Sequence, residues 1–250
     1  MQGTAMIFRS ALLMLLVGVT LRPAAAEAPH ITTQRENATS ILVISPIFSQ
    51  LVAFKMPLDF KVVNEETSAH GYIRESVPMG ENVEHWSRMI TVTGYKDVAA
   101  NPGPPPAVLL NTIAEGFRKA CPDSVSVGDL GSPSVDGYPA AAAFIACGTT
   151  ISGGKPHSEA ALVVAIKGAR DYYTIQWAER GAAQATPVAF DGKHWVGQFK
   201  QLMPIFLCQR IPEEQAPYPS CISRLSSDNQ APATHGSQAV PPLNAASPAS

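Results

Sequence analysis

The chain has 250 residues, 46% of them hydrophobic and 15% charged, with a formal net charge of −2. That composition supports a globular core, and the near-neutral charge excludes an electrostatic nucleic-acid binder. Nothing in it points to a cofactor.

Arg9 provides a positive start and residues 11–21 a short apolar run. Ala24-Ala25-Ala26 then offer the small residues read by a signal peptidase. We therefore expect a signal peptide over 1–26, cleaved near Ala26, and a periplasmic or secreted mature chain. The apolar run falls short of the roughly 20 residues that cross a bilayer, so no stable membrane anchor is expected after cleavage. Residues 27–40 read as a polar lead-in. Residues 41–54 are apolar and suit a short helix or strand, with Pro46 arguing against a long helix.

From Phe60 the pattern turns to β. Phe60, Val62 and Val63 lead into a polar turn over 64–69, and Tyr72, Ile73 and Val77 return. In 86–95, Met89, Thr91 and Thr93 alternate with Ile90, Val92 and Gly94, the signature of a half-buried strand. A Pro-rich loop over 101–106 precedes a helix over 107–120. That helix has Leu109, Ile113, Phe117 and Ala120 on one face, and Pro122 ends it. Segments 138–150, 160–167 and 172–179 form a meander joined by Gly-containing turns, with Tyr173, Ile175 and Trp177 sharing a face. Asp191 suits the N-cap of a last helix burying Trp195, Phe199, Leu202 and Phe206, kinked or shortened by Pro204. The fold class expected is α+β, an antiparallel sheet meander with helices packed on it, in one domain over 41–212. Residues 213–250, rich in Pro, Ala and Ser, read as a disordered tail.

The chain contains four cysteines, Cys121, Cys147, Cys208 and Cys221. In an exported protein an even count implies disulfides. Three connectivities exist; Cys121–Cys147 with Cys208–Cys221 is preferred because each closes a short loop between neighbouring elements. No CxxC and no metal-ligand spacing occurs.

Catalytic patterns are sparse. Ser132 and Ser134 lack a strand–turn–helix elbow. Gly153-Gly154-Lys155 lies between strands and reads as a hairpin turn rather than a phosphate loop. His157-Ser158-Glu159 has no downstream PCxxC. Glu84-His85 beside Trp86 is a polar pair close to an aromatic. The aromatics Trp86, Tyr172, Tyr173, Trp177 and Trp195 suit either core or groove, and Arg74, Arg88 and Arg180 suit contact with an anion. Trp86, Arg88, Tyr173 and Trp177 are the candidate ligand-binding set.

The stretch from Phe54-Lys55-Met56-Pro57 through Trp86-Ser87-Arg88-Met89-Ile90-Thr91, with 172–180 as the strand before the last helix, resembles uncharacterised bacterial periplasmic proteins. Those proteins are similar to the PsbP-like α/β/α sandwich, named for an extrinsic subunit of photosystem II. The resemblance spans about residues 52–207 and implies a non-catalytic accessory or assembly role; no photosystem-specific residue carries over. The expected function is thus an exported accessory or binding protein with a protein or small-ligand partner. The alternatives are a periplasmic hydrolase using His85 or His157 with a neighbouring Glu, and a component of an envelope or secretion complex.

Overall fold

Strands of this chain carry apolar residues on both faces, so the sheet they build needs cover on both sides, and the structure supplies it with different layers. The computed structural model describes residues 30–32, 39–100, 102–151 and 154–230. The expected signal peptide, most of the lead-in and the chain from 231 onward lie outside the described residues.

Among the described residues, twelve strands and three helices follow in chain order. They are β1 (His30–Thr32), β2 (Ser40–Ile47), β3 (Gln50–Pro57), β4 (Phe60–Thr67), β5 (Gly71–Pro78) and β6 (Arg88–Tyr95), then α1 (Pro106–Ala120). Next come β7 (Val125–Asp129), β8 (Ser134–Val135), β9 (Tyr138–Thr150), β10 (His157–Lys167) and β11 (Tyr172–Ala182), then α2 (Gly192–Lys200), β12 (Phe206–Gln209) and α3 (Pro219–Gln230). The large sheet runs β4-β5-β6-β11-β10-β9-β7 and the small one β1-β2-β3-β12; every pairing is antiparallel. The α+β class and the meander are as expected.

Strand parity sorts the core into two. On one face of the large sheet, Phe144, Leu162, Ile166, Ile175 and Trp177 meet Val43, Val52 and Phe54 of the small sheet and Trp195 and Phe199 of α2. On the other, Ala141, Ala143, Ala161 and Ala165 let α1 come close with Leu110 and Ala114. Large side chains thus separate sheet from sheet, while alanines admit a helix. A third cluster joins the outer face of the small sheet, Ile44, Leu51 and Phe206, to Tyr218 and Cys221. The layers run α1, large sheet, small sheet with α2 beside it, then α3.

Several expectations shift. Residues 41–54 form most of a two-strand hairpin, with the β2–β3 turn at Phe48-Ser49. Helix α2 takes Asp191 as its N-cap, the carboxylate accepting from Lys193 and His194 N–H groups. It ends at Lys200, so Leu202 and Phe206 are buried outside it. Pro204 lacks an N–H and disfavours helix at Met203, and the chain instead pairs as β12, Phe206 opposite Ala53. The buried face of α1 centres on Leu110 and Ala114, and Ala120 is exposed. The chain also stays ordered past 212. Cys208 and Cys221 are bonded with Cα atoms 5.6 Å apart, and Tyr218 is buried, which fixes α3 against the small sheet. The preferred pairing holds for Cys121–Cys147 as well, at 5.8 Å.

Two polar fittings lock the layers. Asp171, in the β10–β11 turn and 1% exposed, accepts from the N–H of Ser49 at 2.9 Å, the Ser49 hydroxyl, the N–H of Asp97 at 2.6 Å and the Tyr173 hydroxyl at 3.3 Å. Gln50 accepts from Ala169 N–H at 2.8 Å and donates to the Tyr138 hydroxyl at 3.0 Å. Along the outer side of β12, Leu207 N–H donates to the Asp136 carboxylate at 2.9 Å and its carbonyl accepts from Arg224 at 3.2 Å. Arg224 also pairs with Asp136.

Candidate functional site

Helix α1 covers only part of its face of the large sheet. It lies over β9 and β10, and among the described residues no helix covers the neighbouring strands β5, β6 and β11 on this face. Ile73, Glu75, Met89, Thr91, Thr93, Gln176 and Ala178 floor the resulting groove; Phe117 of α1 forms one wall, and Val83 and Trp86 the opposite rim. Its volume is about 380 Å³, within the usual range for small-ligand sites.

Register explains the floor. Glu75 sits opposite Thr91, and Thr91 opposite Gln176, so three polar side chains cross the strands in one row. Glu75 accepts from Asn64 Nδ2 at 3.0 Å. Deeper on the same face the Thr93 and Thr174 hydroxyls bond to each other at 2.6 Å.

At the mouth, Arg180 is held from three sides. Its Nε donates to Glu159 Oε2 at 3.0 Å, an Nη donates to the Glu84 carbonyl at 3.2 Å, and the guanidinium stacks 3.9 Å over Trp86. His157 Nε2 lies 3.6 Å from the same Glu159 oxygen. A second cleft of about 430 Å³ shares Trp86 and Arg180 and adds Glu81, His85, Ser87, Lys155 and His157. In that cleft the Ser87 hydroxyl donates to Glu81 Oε1 at 2.7 Å. Among the described residues, no three His, Cys, Asp or Glu side chains converge as metal ligands.

Of the four candidate ligand-binding residues, only Trp86 lines the groove. Arg88 lies on the opposite parity of β6, paired with Asp59 at 2.9 Å and placed 5.2 Å over Phe60. Tyr173 and Trp177 are wholly buried between the sheets. The single Tyr173 hydroxyl proton is shared between the Ile47 carbonyl at 3.1 Å and the Asp171 carboxylate at 3.3 Å, and Trp177 Nε1 donates to Glu179 at 2.9 Å. Their place in the groove set is corrected: the face shared by Tyr173, Ile175 and Trp177 is the closed one. Burial pushes the Tyr173 and Tyr72 phenols far above their ordinary range, so both remain protonated donors. Trp195 is core against Phe144, with rings 4.9 Å apart. Arg74 is 2% exposed, paired with Glu65 at 3.3 Å, and its Nε has no partner.

The sequence reading missed Glu75, Gln176 and Phe117 as groove residues. The signal was the polar parity of Thr91 and Thr93: a strand turning threonines to one face, where its neighbour turns a glutamate and a glutamine, has a face that is not closed core.

No family model matches the chain, and no curated protein matches it. Solved structures similar to it include the Ran-binding protein Mog1p of Saccharomyces cerevisiae, at 11% identity and a TM-score of 0.34, covering 61% of this chain and 79% of that one. A mutant of protein Mog1 is similar at 11% identity and a TM-score of 0.35, covering 71% and 86%. A protein of Bacteroides thetaiotaomicron is similar at 11% identity and 0.29, covering 66% and 47%. Likeness at this level says nothing of activity or partner.

Proposed function

We propose that the protein is exported and acts as a non-catalytic accessory or binding protein, using the groove beside α1 to hold a small ligand. The observation that carries this reading is the half-covered sheet face, where a polar row of half-buried Glu75 and Gln176 flanking buried Thr91 lies between apolar walls. Such a row costs free energy under a closed layer and is useful only when something polar meets it. Export is supported by the leader-like residues 1–26 and by two disulfides, which persist in oxidising compartments. The test is thermal-shift screening of the mature protein against a periplasmic metabolite set, alongside Ala178→Phe, which fills the groove. A ligand at 100 times its Kd adds about 2.7 kcal/mol to wild-type stability, and the filled variant loses that gain. Ligands that stabilise both proteins equally would refute the groove as the site.

A hydrolase is the second reading, favoured by one observation: His157, Glu159 and Ser87 belong to a single neighbourhood around Arg180. Against it, the Ser87 hydroxyl is given to Glu81 rather than to an imidazole, and nucleophile–base contact is what activates a serine. Turnover of an ester or amide panel that disappears in His157→Ala would establish it over the binding role.

A further inference from the structure

We infer that the groove selects a cationic ligand, a primary ammonium on an apolar stem, with Glu75 as the residue that receives the charge; this rests on the binding role proposed above. Three charged side chains line the groove: Glu75, Glu159 and Arg180. Two of them neutralise each other, Arg180 Nε lying 3.0 Å from Glu159 Oε2, and the guanidinium is further engaged by Trp86 and the Glu84 carbonyl. Glu75 accepts from a neutral amide, that of Asn64, so its charge is the one on the groove floor not balanced by a cation.

The neighbours of Glu75 fit the same ligand. Thr91 and Gln176 follow it across the strands in register, bringing a hydroxyl oxygen and an amide oxygen beside the carboxylate. An ammonium has three donors and no acceptor, and this row presents acceptors at successive cross-strand positions about 5 Å apart. An anion would meet Glu75 with no uncommitted cation to offset it. A neutral alcohol would leave the carboxylate's charge unanswered. Beside the hydroxyl-bearing Thr93 and Tyr95, the lining has Ile73, Met89, Val83, Trp86 and Phe117, an apolar surface that suits a hydrocarbon or aromatic stem.

The probes are n-octylamine, octan-1-ol and octanoate, titrated calorimetrically into the mature protein at pH 7 below their aggregation limits. Octylamine is expected to bind at least about tenfold more tightly than octanol, with octanoate weakest, and to shift the Gln176 side-chain amide and Thr91 methyl resonances. Glu75→Gln keeps an acceptor for Asn64 and is expected to abolish the preference for octylamine over octanol. Thr91→Val removes one acceptor without touching the charge and is expected to cost about threefold in octylamine affinity. Octanol or octanoate binding in the groove as tightly as octylamine would overturn the cation assignment and leave the groove a binding site. A preference for the amine that survives in Glu75→Gln, or amine binding that leaves Gln176 and Thr91 unshifted, would overturn it too. Silence from all three probes would remove both the cation assignment and the small-ligand reading.

Discussion

Replacing Asp171 tests whether the two sheets are fastened at one carboxylate. In the native chain it accepts two bonds from Ser49, one from Asp97 N–H and one from the Tyr173 hydroxyl, at 1% exposure. Hydrogen bonds to a charged group contribute about 1.5–3 kcal/mol each, but those sharing one acceptor do not add. Asp171→Ala also strands the Ser49 and Asp97 N–H groups. We therefore expect a loss of about 3–5 kcal/mol, read as a lower urea midpoint with unchanged slope. Asp171→Asn is not conservative, because its amide would turn N–H groups toward donors; it is expected to lose about 2–4 kcal/mol. The acid limb gives an independent check. Burial alone would raise the Asp171 pKa, but the Ser49 hydroxyl, the Asp97 and Ser49 N–H groups and the Tyr173 hydroxyl together hold it below 3.8. A depressed native pKa contributes stability that is fully present above the unfolded value and is lost as pH falls through the native one. Wild type should therefore weaken more steeply than Asp171→Asn below about pH 4. A loss under 1 kcal/mol for Asp171→Ala, or parallel acid limbs, would refute the argument.

Other expectations follow from the same structure. Non-reducing peptide mapping should return Cys121–Cys147 and Cys208–Cys221, and replacing the first pair by serine should cost about 3.5 kcal/mol by loop entropy. Gly94→Ala should cost about 1–3 kcal/mol, measured as a fall in urea midpoint, because its Cβ would meet Ile47 Cγ2 at 2.5 Å where the β2–β3 turn crosses β6. Phe144→Ala, emptying space beside Trp195, should cost about 3–5 kcal/mol in the same assay. Arg74→Met should be neutral within about 1 kcal/mol or stabilising, since it removes a buried guanidinium whose contact with Glu65 is long, at 3.3 Å, and whose Nε has no partner, and leaves Glu65 partly exposed.

The meander was legible because 138–179 alternates long apolar runs with glycine turns, and local pattern determines local pairing there. Asp191 was legible for the same reason, as a cap acts within three residues. The small sheet was less so. Its hairpin looks like any apolar stretch, and β12 forms only because an edge of β3 waits for it some 150 residues earlier in the chain. Order past 212 was implied by the Cys208–Cys221 pairing, yet composition pointed the other way; a disulfide and one buried tyrosine outweigh a polar average. The groove was the hardest part. Trp86 was found by type, whereas Glu75 and Gln176 become neighbours only through Thr91, across two strand pairings that sequence distance hides.

The Asp136–Leu207–Arg224 arrangement has a bearing on self-association. A four-stranded sheet ending in a short bare strand invites another copy to zip alongside. Here the outward N–H and carbonyl of Leu207 are both occupied by charged side chains, so a docking strand would have to displace an ion pair before gaining its first bond. The large sheet is guarded by other means, with Lys61, Glu65 and Glu66 studding its β4 margin. Growth into fibrils through β12 is thus opposed by two side chains, and cutting both back to alanine should turn a shielded margin into an adhesive one.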